Sequence, residues 1–573
     1  MDRKRIINIG IYIALVGLFL LPRLPKIDSF VTLDEPSWLS QGANFYYALG
    51  QREFENTVYE YQPAVTTMWI VSFGMLMHFP EYRGLGQGYL DYEKGKLDPF
   101  MYEYGYDPLV LLTYSRVIQV FILLILFLVL YFLLQYLLPK WVAAFVVTFA
   151  SFDPFFLGHT RMLDHEAMVS MFTVISVLSL AIYLTYKRKI HFLILSGVAA
   201  GLAQLTKSSS IALLVPIGVL LLAQIYQERH QGLGRSILNN AKVFGIWLAV
   251  LIAAYFVFWP GMWVAPGKML YEVFGNAFSY AFQGARLKIT ESLEPSRFSL
   301  DASFTGIWNM ADVLLFRVTP LTWLGVLLGF AFRLTCDRNL LRPSRQLRTL
   351  MLVTAIAFIF LFAIAQGRNS PHYILSSYLS LNLLAGLGWV YAIRWIWERI
   401  QPQRLNFHYA VLAVVLGIQV WSALSFFPYY YTYRNPILSA MGWHQQGPQF
   451  PYGEGLEIAA QYLSEFPDAD SSTVFSYYAR GCFSYFYPGT SIAFRPYYVD
   501  GNHASDLLGH LESSDYLIVY YANQGELSKY ADYLSVLSAV DPIHIIWLDG
   551  YEYVRIYDVE TFTPEIFEAL ADL

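Results

Sequence analysis

The chain has 573 residues, of which 56% are hydrophobic, 17% aromatic and 14% charged. Soluble domains carry about a quarter charged residues, so this composition, with a mean hydropathy of +0.41, excludes an ordinary soluble enzyme and indicates a polytopic membrane protein. A net charge of -5 gives no basis for nucleic-acid binding, and two cysteines, Cys336 and Cys482, exclude a disulfide framework or a cysteine-based metal cluster.

A basic start, Arg3-Lys4-Arg5, precedes the apolar run Ile6 to Leu21. No small-x-small cleavage site follows, and Pro22-Arg23 comes at once, so the run reads as an uncleaved first span. A long aromatic loop, 22–112, comes next and carries the adjacent acids Asp34 and Glu35 just beyond the span. Two carboxylates at a membrane surface are costly unless they meet water, a partner or a substrate. Residues 36–50 have a helical apolar pattern that predicts a helix along the surface. Residues 64–79 are apolar but short, and read as a second interfacial or re-entrant helix.

Spans long enough for an apolar core of about 30 Å are expected near 6–21, 113–138, 142–158, 164–186, 191–206, 208–226, 243–260, 312–333, 350–366, 372–396 and 407–427, about eleven in all. A polar patch, Thr206-Lys207-Ser208, joins the two shortest. Basic residues gather at the N-terminus, at 187–189, 229–242, 333–348 and 394–404. With this count all of them fall on one side, which the positive-inside rule makes cytoplasmic. The N-terminus is then cytoplasmic. Loop 22–112, the turn at Gly367 to Pro371 and everything after 428 lie outside the cytoplasmic membrane. Cys336 and Cys482 fall on opposite sides and cannot pair.

The expected fold class is therefore a polytopic α-helical membrane domain, 1–430, followed by a small extracytoplasmic α/β domain, 431–573. In the latter, Glu454 to Phe466 reads as an amphipathic helix, and 474–477 and 516–520 as strands. Residues 544–548 and 553–557 flank Asp549-Gly550 as a hairpin.

The ionisable residues at the outer lip are few: Asp34 and Glu35, Arg116, then Arg161, Asp164, His165 and Glu166, then Lys207, and lastly Arg368 and His372. Carboxylates and cations on one face suit a reaction between a lipid-linked phosphate and a hydroxyl or amine. The cations would hold the phosphate, and a carboxylate would take the nucleophile's proton. The structural alternatives are plain. The acids could be a solvated flank, Arg161 with Asp164 and Glu166 an ion pair and helix cap, and Lys207 a snorkelling side chain.

The order of these motifs resembles the GT-C membrane glycosyltransferases, in particular the protein O-mannosyltransferase and lipid A aminoarabinose transferase superfamily. Leu33-Asp34-Glu35 is similar to its acidic motif in the first outer loop. Tyr61-Gln62-Pro63-Ala64 stands in the place of its His-Pro-Pro-Leu, without the His and the second Pro. Tyr114-Ser115-Arg116, Thr160 to Asp164, Gly201 to Lys207 and Pro371-His372-Tyr373-Ile374-Leu375 resemble further motifs, so the likeness covers roughly residues 1–400.

The resemblance implies an inverting transfer from a polyprenyl-phosphate-linked sugar to a protein, lipid or glycan acceptor. Asp34 would be the general base, Glu35 its orienting neighbour, and Asp164 a second carboxylate of the site. Arg116, Arg161, Lys207 and Arg368 would compete for the donor phosphate. His165, Glu166, His372, Tyr373 and Tyr61 would line the substrate. No cofactor is implied beyond the lipid-linked donor, and no tight ligand cluster argues for a divalent metal. The rivals are an O-antigen ligase or polymerase-like enzyme, a transporter, and a non-catalytic scaffold. An O-antigen ligase would be expected to carry its long loop late in the chain, and a transporter would show inverted repeats with charges at the midplane.

Overall fold

Long apolar runs have only their own backbone to bond with in hydrocarbon, and this chain meets that constraint with helices. The structure, a computed structural model, describes residues 3–59, 62–92, 94–277, 300–332, 338–364, 370–400, 407–443, 451–494, 504–523 and 531–571. In chain order the first helices are α1 (Arg3–Leu20), α2 (Glu35–Gln51), α3 (Val65–His78), α4 (Leu97–Glu103), α5 (Pro108–Leu134), α6 (Lys140–Ser151), α7 (Pro154–His159), α8 (Glu166–Ile182), α9 (Ile190–Thr206), α10 (Leu214–Glu228) and α11 (Leu233–Phe258). The later apolar helices are Leu300–Arg317, Pro320–Ala331, Arg338–Ile364, Leu375–Ile400 and Phe407–Leu424.

Within the described residues each predicted span falls mainly on helix, the ends of 312–333 and 350–366 lying outside them, but the count of eleven independent crossings is not what length and apolarity give. Among the described residues 6 helices are long and apolar enough to cross a membrane, or 7 with the bent pair Thr305–Arg317 and Pro320–Ala331, which turns through 111°. Arg5–Leu20, Val65–His78, Lys140–Ser151, Ile190–Thr206 and His408–Leu424 are apolar but shorter. The expected span at 142–158 is broken at Asp153-Pro154, where the ring nitrogen cannot donate and the Asp153 carboxylate accepts from Phe156 N at 2.9 Å to start α7. The chain is a multi-pass helical membrane protein.

Two compact units make up the chain. The first comprises Met1–Pro25, Gln41–Tyr89 and Ser115–Asn435. Its helices approach through small residues, the usual device where lipid offers no hydrophobic driving force. A Cβ on Gly388 would lie 1.9 Å from Gly325 O, and one on Gly201 would lie 2.7 Å from Leu251 O. Buried hydroxyls join α8, α9 and α11: Ser176 Oγ donates to Ser196 O at 2.9 Å, and Trp247 Nε1 to Ser196 Oγ at 2.9 Å. The short helix α3 lies against α9, with Ala64 N donating to Thr206 O at 3.2 Å.

The second unit comprises Lys26–Ser40, Leu90–Tyr114 and Pro436–Leu573. It holds a five-stranded sheet of order β2-β1-β3-β5-β4, with β1 (Thr473–Tyr477), β2 (Thr490–Phe494), β3 (Tyr516–Val519), β4 (His544–Leu548) and β5 (Tyr551–Asp558). Strands β2, β1 and β3 are parallel, and β5 and β4 return antiparallel. Positive φ at Asp549 and Gly550 makes the tight turn between β4 and β5 that the sequence predicts. The predicted helix forms as Leu456–Ser464, whereas β2 was not anticipated. Two segments of the first loop belong to this unit, which composition alone did not reveal.

Candidate active site

The break at Asp153-Pro154 makes α7 a helix of six residues ending at His159, and α8 starts at Glu166. The intervening turn folds back on itself. Asp164 Oδ2 accepts from His159 Nδ1 at 2.5 Å, and Asp164 Oδ1 accepts from Glu166 N at 3.1 Å. That second bond satisfies a free donor at the start of α8, where a negative charge also meets the helix dipole favourably. His165 lies beside both acids, its Nδ1 3.7 Å from Asp164 Oδ1 and its Nε2 3.6 Å from Glu166 Oε1. The Tyr431 hydroxyl reaches His159 Nδ1 at 3.4 Å.

Lys207 arrives from the far end of α9. The helix stops at Thr206, and Lys207 takes an extended conformation before a 3-10 turn begins. Its ammonium donates to Glu166 Oε1, and the two side chains are each only 3% exposed. The same ammonium lies 4.4 Å from the centroid of the Tyr373 ring, which stacks on Phe362 at 5.2 Å. His372 brings its ring within 5.9 Å of His159. Thus Asp164, His165, Glu166, Lys207, His372 and Tyr373 come together from three separated segments. Of Asp164, His165, Glu166 and Lys207, Asp164 is the most open to solvent, at 18%.

The arginines divide. Arg161 is buried, and its guanidinium donates to Pro25 O at 2.8 Å and Pro428 O at 3.4 Å, with Phe427 and Tyr430 beneath it. Arg116 is buried within α5, and one turn on, Gln119 Nε2 donates to Met162 O at 2.5 Å, tying α5 to the turn before Asp164. Sequence reasoning missed Arg23. Its Nε donates to Thr160 Oγ1 at 2.7 Å and its NH2 to Ser151 O at 3.0 Å, so it braces both sides of α7. It missed His159 as well. A histidine five residues before an aspartate does not share its helix face. The end of α7 between them makes the pair.

Asp34 and Glu35 belong to the second unit. The adjacent acids point differently: Asp34 is exposed and Glu35 is wholly buried. Glu35 Oε2 accepts from Thr32 N at 2.7 Å and from Thr32 Oγ1 at 2.9 Å, closing the turn that presents Asp34 at the start of α2. Tyr61 and Arg368 lie outside the described residues, as does Cys336. Among the described residues no group of three or more His, Cys, Asp or Glu side chains could hold a metal ion.

A family model described as dolichyl-phosphate-mannose-protein mannosyltransferase matches residues 112–260, which include Arg116, the whole 159–166 turn and Lys207. The protein O-mannosyltransferase Pmt1-Pmt2 complex of S. cerevisiae, bound to its sugar donor, superposes with a TM-score of 0.52 at 11% identity, over 75% of this chain and 90% of that one. The chain has a GT-C glycosyltransferase fold. Two further solved structures align over more of this chain with lower scores. ArnT from Cupriavidus metallidurans bound to undecaprenyl phosphate gives a TM-score of 0.44 at 12% identity, over 96% of this chain and 97% of that one. The Archaeoglobus fulgidus oligosaccharyltransferase complex with Zn and sulfate gives 0.46 at 13% identity, over 92% and 69%. No curated protein matches the chain in sequence.

Proposed function

We propose that this GT-C protein is an inverting glycosyltransferase that moves a sugar from a polyprenyl-phosphate-linked donor to a protein, lipid or glycan acceptor on the outer face of the cytoplasmic membrane. The observation that carries the reading is the cluster of Asp164 with the buried His165, Glu166 and Lys207 in a mainly apolar helical unit. Ionisable side chains at such depth are costly and mark sites of chemistry by default. The family match over 112–260 and the fold support the same reading.

In the reaction the acceptor oxygen or nitrogen attacks the anomeric carbon from the face opposite the phosphate. The bond from that carbon to the phosphate oxygen breaks, and its electron pair leaves with the polyprenyl phosphate. Asp34 takes the acceptor's proton, a role that needs an accessible carboxylate. Glu35 holds the turn. Lys207 and Arg116 supply positive charge to the donor phosphate, whose departure needs it. The Glu166 carboxylate holds and aims the Lys207 side chain in the absence of donor, and His159 orients Asp164 as the second carboxylate. Arg161 binds backbone carbonyls, and we assign it to the scaffold.

The test is sugar transfer in membranes supplied with a polyprenyl-phosphate sugar. Asp34→Asn abolishes transfer while expression is intact, and Lys207→Ala raises the KM for donor more than that for acceptor. Full activity in Asp34→Asn removes Asp34 from the mechanism. An unchanged donor KM in Lys207→Ala removes the phosphate role. Mass spectrometry of surface glycans and proteins with and without the chain identifies sugar and acceptor.

A further inference from the structure

The acidic turn is gripped on both flanks by the C-terminal part of its own unit. Before it, Leu33 N donates to Tyr452 O at 3.2 Å. Gly453 allows the chain to pass there, since a Cβ on it would lie 3.0 Å from Val31 O and 2.9 Å from Cys482 Sγ. After the turn, Gly481 sits at φ 75°, and a Cβ on it would lie 2.3 Å from Pro36 Cγ. Between these contacts Asp34 is exposed.

Arg480 completes the grip. Its NH2 donates to Pro36 O at 3.0 Å and to Ser40 Oγ at 2.5 Å, in the first two turns of α2. Its NH1 donates to Tyr92 O at 2.7 Å, and its Nε to Asp98 Oδ2 at 3.1 Å. Tyr485 OH fixes the other oxygen of Asp98 at 3.0 Å. One planar guanidinium therefore ties residues 36–40, 92–98 and 480–485 together. A lysine ammonium, a single point charge on a flexible stem, cannot reproduce that fork.

We infer that Arg480 is a positioning residue for the Asp34 turn, which makes the C-terminal segment a working part of the transferase. The inference rests on the reading of Asp34 as the base. A misplacement of about 1 Å at a reacting group costs about 100-fold in rate, so loss of the fork lowers turnover without touching donor binding.

The experiment uses the full chain in membranes or detergent, with turnover, donor KM and melting measured for Arg480→Ala, Arg480→Lys, Ser40→Ala and Asp34→Asn. Arg480→Ala and Arg480→Lys lose about tenfold or more in kcat with donor KM within about twofold of wild type. Added guanidinium ion restores part of the Arg480→Ala turnover and none of that of Asp34→Asn. Ser40→Ala, which keeps the arginine and removes one acceptor, loses a few-fold in kcat. Wild-type kcat in folded Arg480→Ala, with Asp34→Asn inactive, overturns the inference alone. Should Arg480→Ala not fold, wild-type kcat in both Arg480→Lys and Ser40→Ala overturns it. Activity in Asp34→Asn overturns the base assignment, and the inference with it.

Discussion

The Lys207 ammonium bonds the Glu166 carboxylate across 41 residues of chain, joining the end of α9 to the start of α8. Both groups are buried, so each is the other's answer to desolvation. Truncating one partner of such a pair leaves an uncompensated charge and costs about 3 kcal/mol or more, whereas replacing both is far milder. Glu166→Gln and Lys207→Met each lower the melting temperature, and the double variant melts above either single one. Thermal melts of the purified variants in detergent check this; a double variant that melts at the sum of the two losses refutes the coupling.

The neighbouring acids Asp34 and Glu35 separate into one exposed and one buried group. Glu35→Ala strands the Thr32 N–H and hydroxyl that its carboxylate now accepts, at a cost of about 1–3 kcal/mol. Asp34→Asn leaves stability within about 0.5 kcal/mol of wild type, as exposed substitutions do. Denaturation curves of the two variants side by side decide it. Equal losses would show that Asp34 is held as firmly as its neighbour.

Asp98 introduces a pH dependence. Burial holds its carboxyl above the ordinary range, against the opposing pull of Arg480 and Tyr485. Because its native pKa is raised, the stability that Asp98 contributes is complete below the ordinary carboxylate pKa of about 4 and is lost as pH rises through the raised value. Arg480→Ala removes the main opposing charge and moves that loss upward and deepens it. Its melting temperature therefore falls more steeply than that of wild type as pH rises above the ordinary carboxylate value of about 4, and its deficit is smallest at the acid end. Melts across that range give the slopes; parallel slopes exclude Asp98 as the source.

Cys482 reports on the integrity of the second unit. Burial, with added repulsion from Glu35, Glu457, Glu454 and Asp34, pushes its thiol well above its usual pKa. The thiolate is the reactive form, so Cys482 resists maleimide and iodoacetamide in the folded chain and reacts on unfolding. Gly481→Ala, which drives a Cβ into Pro36, speeds its labelling. Labelling followed by mass spectrometry measures both rates, and prompt reaction in the native protein contradicts the burial.

Local pattern was informative wherever it reflected local physics. The apolar runs read as helices because lipid leaves the backbone no other partner. Asp549-Gly550 read as a hairpin turn because both positions need positive φ. The same reasoning ran the 142–158 segment through Pro154 as one span, because its apolar residues continue on both sides of the break. It could not foresee His159 against Asp164, since their contact exists only once α7 has ended. Nor could it tell that Arg161 turns to the carbonyls of Pro25 and Pro428, because the same guanidinium donors serve a backbone carbonyl or a phosphate.

The sequence by itself determined the helical membrane class, the position of the acidic pair and the residues from Arg116 to Lys207 that carry charge into apolar surroundings. Hydropathy and charge are properties of each residue and survive without a fold. Only the tertiary structure decided which of two adjacent acids faces inward, which cation Glu166 holds and which arginine grips the turn at Asp34. Those outcomes depend on contacts between residues distant in the chain, and no periodicity along a sequence encodes a partner 444 positions away, as Arg480 is from Pro36.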